Sequence, residues 1–489
     1  MTKNFIIAIN FFIPFLSIAQ QDSLPSLEWA EGFGMLNFFE IWDGALDAEG
    51  NLISIGYFGG TMDLEQGLGV YPLTAEGVGN AFIQKTDSTG DFVWARGIID
   101  SCTLIAPYTV VTRPNGSILI GGYYYGCDSL DANPDPLDSY YLKADSSTVR
   151  MFLIELDENG LFQWAFEQKG GACKRMVLDK AGNIYLIGIF DGELDRDPDP
   201  NVQDLINSND RDFFIEKLDP SGNQLWIKVI QGQGFTDANS IALNTNGEVV
   251  VAGHIEQSVN FNPGGPSMVV SPNAAYNGYV FTLDSMGNSK NVFLLQGTSP
   301  SRILDLETDD QDNCYMVGWY NGTDVDFDPG LAVLPLVANA TGGYFVMKTS
   351  ETGSPIWVHP YDHPLGSIDF RAADLSLGKD NISYIGGWLA HRLVYLEPDN
   401  PNGPILHNNG SESMFQAVYD SLGTLIWAKD YQGNSVAASR KLISKGNHLY
   451  TFGYFANSID LGTTVPFTLN ESGGNCFLMK QKLPNTCSL

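Results

Sequence analysis

A tryptophan returns along this chain at a nearly fixed interval. Trp29, Trp94, Trp164, Trp226, Trp357 and Trp427, with Phe293 standing in once, are separated by steps of 62 to 70 residues. The fullest copy runs from Asp212 to Trp226, DFFIEKLDPSGNQLW: an apolar run, a lysine, an Asp-x-x-Gly turn, then the tryptophan. A fixed period means stacked copies of one supersecondary unit, each too small to bury its apolar faces alone. A second marker keeps the same beat, a turn that opens an apolar strand at Gly50-Asn51, Asn115-Gly116, Gly182-Asn183, Asn246-Gly247, Asn313, Asn381 and Gly446-Asn447. Seven such turns imply seven units.

Residues 175 to 230 show what one unit is. Arg175 to Asp179 is a short strand, and Lys180 to Asn183 a glycine-containing turn. Ile184 to Phe190 is a strand with apolar residues on both faces, so both faces are buried. A long polar connection leads to Phe213 to Leu218, the turn Asp219-Pro220-Ser221-Gly222, and a last strand through Trp226 and Val229. Four antiparallel strands joined by hairpins make a propeller blade. Solenoid rungs of about 20 to 30 residues are too short for this period. The ends of the chain complement each other: Leu27-Glu28-Trp29-Ala30 matches a fourth strand with no three strands before it, and the last unit stops at Lys482 without a tryptophan strand. The expected fold is all-β, a seven-bladed β-propeller over residues 20–482. The Trp29 strand completes blade seven and hides two sheet edges.

Residues 1–19, MTKNFIIAINFFIPFLSIA, carry Lys3, an apolar core from Phe5 to Ile18, and small Ser17 and Ala19 before Gln20, which reads as a cleaved secretory signal. Asn10 and Pro14 interrupt that core, and no later stretch approaches the roughly 20 apolar residues of a membrane span. The mature chain is expected to be secreted or held at the cell surface, as a monomer, with residues 483–489 as a short tail. The full chain's 57 acidic against 26 basic residues, net −31, repel nucleic acid and anionic membranes. Six cysteines suit an oxidising compartment. Cys102 and Cys127 flank the first two strands of blade two on one face and are a plausible bridge, and Cys476 and Cys487 could tether the tail. Cys173 and Cys314 fall in different blades and read as free and buried.

In a propeller, the turns between strands one and two and between three and four share one rim. Connections between strands two and three, and between blades, share the other. On the first rim, Asp and Gly in turns such as Asp87-Ser88-Thr89-Gly90 and Asp284-Ser285-Met286-Gly287 suit hairpin geometry and need no further role. The second rim holds two candidate sites. Acids and amides recur at alternate positions: Asp63/Glu65, Asp131/Asn133/Asp135, Asp195/Asp197/Asp199, Asn260/Asn262, Asp324/Asp326/Asp328 and Glu397/Asp399. Alternate residues of an extended segment project to one side, so three oxygens could converge on calcium. The same spacing beside Pro198 and Pro329 also builds plain structural turns. The second candidate gathers His359, His363, His391 and His407 near blade six with Tyr361 and Asp362, as a ligand, transition-metal or acid/base site. Solvated loop histidines are the simpler alternative; His254 and His448 read as structural.

No Gly-x-Ser-x-Gly, His-Glu-x-x-His or phosphate-cradling glycine loop occurs, and helical periodicity is scarce. The segments NAFIQKTDSTGDFVWARG, DFFIEKLDPSGNQLWIKVIQG and MFQAVYDSLGTLIWAKDYQG, preceded by NGSILIGGYY and AGNIYLIGIF, resemble the bacterial beta-propeller repeat (SBBP-like) family over residues 27 to 482. The Asp-Phe-Asp-Pro-Gly variant at Asp326 to Gly330 resembles repeat proteins secreted by Bacteroidetes. The resemblance implies an exported, often surface-associated propeller. The leading functional reading is a non-enzymatic propeller that binds or adheres to an extracellular glycan or protein through its acidic, loop-rich rim. Tyr123 to Tyr125, Trp319, Tyr320 and Trp388 supply aromatics there, and calcium is the one cofactor considered. The alternatives are a carbohydrate-active hydrolase or lyase and a structural envelope module without a ligand.

Overall fold

The computed structural model describes residues 24–34, 39–65, 69–143, 147–197, 199, 202–208, 210–322, 324–328, 342–361, 370–390, 393–397, 403–408, 412–433, 435–462 and 465–484. The expected leader lies outside them. Seven four-stranded antiparallel sheets form the body. Blade one is Phe39–Leu46, Leu52–Phe58, Asn80–Thr86 and Phe92–Ile98, in that spatial order from the first strand outward. Blades two to six repeat this meander, starting at Leu104–Thr112, Ala172–Leu178, Thr236–Leu243, Ser301–Thr308 and Phe370–Leu377. Blade seven joins Ala437–Lys445, His448–Asp460 and Thr468–Lys482 to the N-terminal strand Ser26–Gly34, which pairs antiparallel with Thr468–Lys482. The expected seven-bladed ring with its N-terminal closing strand is the fold observed, and the closure leaves neither end strand of blade seven unpaired.

The repeated motif is a staple between blades. Its glycine adopts a left-handed conformation, φ +84° at Gly222, and an added Cβ there would lie 2.8 Å from the Trp164 ring of the preceding blade. Gly90, Gly160, Gly287, Gly353 and Gly423 stand in the same relation to Trp29, Trp94, Trp226, Phe293 and Trp357. The indole N–H then donates to the carbonyl of the second turn residue, from Trp29 to Ser88 at 3.3 Å, Trp94 to Glu158 at 3.3 Å, Trp226 to Ser285 at 3.2 Å and Trp357 to Ser421 at 3.3 Å. The motif lysine donates to the same carbonyl: Lys480 to Ser88 at 3.0 Å, Lys85 to Glu158 at 3.2 Å and Lys217 to Ser285 at 3.2 Å. Trp29 therefore serves blade seven and locks it to blade one. Blade seven has no covalent turn between its third and fourth strands, and Trp427, whose staple would meet that turn, packs instead with Leu24 and Leu483. The core is divided among these interfaces; Tyr185 and Ile215 of blade three, for example, pack with Ile241, Val251 and Phe281 of blade four.

Every first strand carries a β-bulge at the same register, after Ile41, Pro107, Cys173, Ala238, Ile303, Ala372 and Ser439. A bulge twists the strand and re-aims the residue that follows. The second strand answers each bulge with a glycine, at Gly56, Gly122, Gly188, Gly253, Gly318, Gly387 and Gly453. At Gly253 a Cβ would sit 1.9 Å from the Asp237 carbonyl oxygen, so the close approach excludes any side chain.

The residues after the bulges, Asp43, Thr109, Arg175, Ser240, Asp305, Asp374 and Lys441, come from all seven blades, and all but Asp374 line one central cavity of about 370 Å³. They button neighbouring blades together. Asp43 accepts from the Val110 N–H at 3.0 Å, Ser240 from Leu306 at 3.2 Å, Asp305 from Leu375 at 2.9 Å, and Asp374 from Leu442 at 2.6 Å. Lys441 pairs with Asp374 at 3.1 Å, and Arg175 reaches Asp43 at 3.6 Å. Burial pulls the Lys441 ammonium down, and Asp374 and Asp305 more than offset it, so its pKa is raised; burial also holds the Asp374 carboxyl well above the usual carboxylate range, against the opposing pull of Lys441.

Candidate functional site

The two candidate sites of the second rim resolve differently. In blades one, two, three, four and six the alternating acid/amide segment adjoins a small hairpin inserted between strands two and three, such as Ser129–Asp131 with Tyr141–Lys143 and Glu193–Asp195 with Leu205–Asn207. The first acid or amide clamps the neck of that hairpin through one oxygen. Asp131 accepts from Asn133 at 3.1 Å and Tyr140 at 2.9 Å, Asp195 from Asp197 at 3.3 Å and Asp204 at 2.9 Å, and Asn260 from Asn262 at 3.1 Å and Met268 at 3.0 Å. Asp63 and Asp460 do the same in blades one and seven. The next residue repeats the turn: Asn133 accepts from Asp135, Asp197 from Asp199 and Asp326 from Asp328, each at 3.0 Å. Asp324 instead accepts from the Thr298 N–H and hydroxyl, and these bonds lower its pKa. Alternate spacing is thus the spacing at which an Asx side chain meets the N–H two residues on. Among the described residues, no group of three or more His, Cys, Asp or Glu side chains is placed to hold a metal ion. Among the described residues these oxygens serve as loop clamps.

The histidines do not converge where described. His359 is in the outer strand of blade five, Pro355–Tyr361, rather than in a rim loop. Its ring stacks on Tyr419 of blade six, 5.0 Å between centroids and 12° between planes, and burial lowers its pKa. Tyr361 is core, 1% exposed between the same two blades, because alternate residues of that strand face blade six. His407 belongs to the side hairpin of blade six, more than half exposed, with its ring 3.8 Å from Asp430. Asp362, His363 and His391 lie outside the described residues. Cys102 and Cys127 form a disulfide with Cα atoms 4.4 Å apart. Cys476 is a buried free cysteine in the third strand of blade seven, and Cys487 lies outside the described residues. Cys173 and Cys314 are buried free thiols; burial pushes Cys314 up to about 12, which removes its nucleophilic form at neutral pH.

What the structure does assemble is a mouth to the central channel on this same rim. The residue after each second-strand glycine holds the equivalent position toward that rim in every blade: Tyr57, Tyr123, Ile189, His254, Trp319, Trp388 and Tyr454. Six of these seven carry a ring; Tyr57 and His254 are buried, the other five are half-buried, and Ile189, Trp319 and Tyr454 pack against the apolar clusters between blades. The bulge residues Trp42 and Tyr108 join them. Trp42 and Tyr108 are 4.4 Å apart, Tyr108 and Tyr123 5.2 Å, and Tyr276 stacks on Trp319 at 5.8 Å with 20° between planes. Burial pushes the Tyr57 phenol up to about 12, so it remains a neutral donor.

Cations sit among the rings. Arg440 lies 5.1 Å over Tyr454 and pairs with Glu40. Lys174 pairs with Asp237 at 2.8 Å, and Arg211 approaches the same carboxyl at 3.9 Å. Arg302 lies 4.2 Å over the Tyr276 ring. A cleft of about 480 Å³ opens between blades two and three, lined by Tyr108, Tyr123, Ala172, Ile189, Phe190 and Arg211. Aromatic faces interleaved with hydrogen-bonding cations suit a flat, polar-edged ligand. Tyr123, Trp319 and Trp388 were visible as aromatics near strand ends, whereas Tyr320 is core, 1% exposed. Trp42, Tyr108, His254, Tyr276, Arg302 and Arg440 were missed. The Gly-aromatic pair recurring once per blade was the available signal.

No family model matches the chain. It is 21% identical over 494 residues to an uncharacterised WD repeat-containing protein, L264, of Acanthamoeba polyphaga mimivirus; the match covers 86% of this chain and 35% of that protein. The chain therefore spans about a third of that curated relative's length. Among solved structures it is similar to the WD40 β-propeller domain of Doa1, with 6% identity, a TM-score of 0.43, and coverage of 93% of this chain and 97% of that one. It is also similar to YCF48 bound to D1 peptide, with 10% identity, a TM-score of 0.40, and coverage of 94% and 98%.

Proposed function

We propose that this protein is an exported, non-enzymatic propeller that binds an extracellular glycan or protein at the mouth of its channel. The fold, together with the likeness to a WD repeat-containing protein, supports a binding or scaffold role. The observation that carries the finer reading is the ring of aromatic side chains at one register position of six blades, beside a cleft and a set of half-buried cations. The clamped side hairpins hold the rim around that mouth in fixed geometry, so little entropy is lost when a ligand docks. The leader-like N-terminus and the disulfide of blade two support an oxidising location.

The test is retention of the purified protein on immobilised plant, algal and bacterial polysaccharides and on extracellular matrix proteins, with newly formed chain ends scored alongside. Retention without new ends, weakened tenfold or more by Tyr123→Ala with Trp319→Ala, is the expected result. New chain ends, or retention indifferent to both substitutions, would refute it.

A further inference from the structure

Arg302 stands apart from the other cations of the mouth. Lys174, Arg211 and Arg440 each have a carboxylate partner, Asp237 or Glu40. No ion pair of Arg302 occurs among the described residues, and its Nε is buried without a hydrogen-bond partner there. The guanidinium is held in place by stacking 4.2 Å over Tyr276, whose other neighbours are Trp319, stacked at 5.8 Å, and the His254 ring, at 5.7 Å. Trp319 is also the direct cross-strand partner of Arg302. The Nδ1 atom of His254 is a second buried polar atom without a partner. Two unsatisfied polar groups thus gather round one aromatic wall. Arg302 is half-buried and hydrogen-bonds Tyr276, but its buried Nε has no partner among the described residues, and an arriving anion satisfies that N–H, a planar fork matching a carboxylate bidentately.

The described inner strand edges discriminate between kinds of partner. An extended peptide would bind a propeller's inner strand by joining its backbone ladder, which needs free N–H groups. Beside the bulges those groups are taken: Val110 by Asp43, Leu306 by Asp305 at 3.0 Å, Leu375 by Asp305 and Leu442 by Asp374. A sugar ring needs no ladder. It presents an apolar C–H face to an aromatic plane and hydroxyl edges to neighbouring donors.

We propose that Arg302, with the Tyr276–Trp319 wall and His254, forms a subsite for the carboxylate of an acidic saccharide. This rests on the mouth being the ligand site, and names the class of ligand it takes there. The net charge of −31 does not prevent it, because at physiological ionic strength charges beyond about 8 Å are screened and the subsite carries its own positive group.

The experiment compares polygalacturonate with the same polymer fully methyl-esterified, using the full chain and its Arg302→Gln, Arg302→Lys and Trp319→Ala forms in affinity electrophoresis. Expected are preference for the free acid, a tenfold or greater loss in R302Q, partial recovery in R302K, and no effect of R302Q on the esterified polymer. R302K also separates loss of the charge from loss of the fold. Equal retention of both polymers, with R302Q unchanged and W319A weakened, would overturn the carboxylate subsite and leave the mouth reading standing. Retention of neither polymer would overturn the acidic-saccharide subsite, and retention unmoved by W319A would overturn the mouth reading with it. Binding of poly-glutamate with no retention of polygalacturonate would overturn the saccharide in favour of an acidic peptide.

Discussion

If the Asp-x-x-Gly turn is a staple, the glycine of one blade and the indole of the preceding blade share a cost that a matched glycine elsewhere does not. Gly222 and Gly247 test this, because both are left-handed, φ +84° and +74°, and only their surroundings differ. A Cβ at Gly247 meets nothing within 4 Å, whereas at Gly222 it lies 2.8, 3.0 and 3.2 Å from three Trp164 ring carbons. Gly247→Ala is charged only for the left-handed backbone, about 1–2 kcal/mol, less about 0.4–1 kcal/mol regained from the stiffer unfolded chain. Its net cost is about 1 kcal/mol. Gly222→Ala carries that cost and must also displace the indole, an overpacking penalty of about 1–3 kcal/mol, so about 2–4 kcal/mol in all. Urea midpoints followed by tryptophan fluorescence give both numbers. The double-mutant cycle with Trp164→Leu should return a coupling of at least about 1 kcal/mol, since a smaller partner makes room for the methyl group. Equal destabilisation by the two alanines, or a difference that persists in the Trp164→Leu background, would show that the turn glycine is needed for its backbone alone.

Trp29→Ala should cost about 3–5 kcal/mol and preferentially raise hydrogen exchange in Ser26–Gly34 and Thr468–Lys482, because it removes both the ring contact with Gly90 and the bond to Ser88; uniform exchange across all blades would contradict a closing role. His254 is held neutral by burial and then by Arg302, its pKa lowered to about 4, so its folded value lies below its unfolded one. Its stabilisation is complete above the unfolded value near 6.5 and is lost as pH falls toward 4; His254→Gln should flatten that part of the stability profile by on the order of 3 kcal/mol, read from urea midpoints at pH 7 and 4.5. Glu28, paired with Lys480 and His448 across the closure, has its pKa lowered despite burial, so Glu28→Gln should matter above pH 4.5 and lose its effect in acid, as thermal melts at pH 7 and 3 would register. Reduction of Cys102–Cys127, which closes a separation of 25 residues, should lower stability by about 3 kcal/mol and leave the other blades' exchange protection intact.

The seven-fold ring was legible in the sequence because its markers are local and periodic. The Trp29 to Trp427 series, the Asp-x-x-Gly turns and the strand left over at each end are short-range patterns, and each blade contacts only its neighbours, so counting blades amounts to deriving the fold. The role of those markers was not legible. That Trp94 lies on Gly160, with Lys85 sharing the Glu158 carbonyl, depends on how one blade sits on the next. Alternate acids such as Asp131, Asn133 and Asp135 read equally as cation ligands or turn clamps, because spacing fixes the side on which oxygens project and says nothing of the N–H groups that meet them. His359 and Tyr361 looked like rim residues since sequence cannot tell the last turn of a strand from the loop after it. The mouth was decided by tertiary structure alone. Its residues are one or two per blade, spaced by the 62 to 70 residues of the repeat, and a bulge facing a glycine recurs beside them in every blade. Periodicity along the chain determines which positions are equivalent, whereas what seven equivalent positions make together depends on the ring being closed.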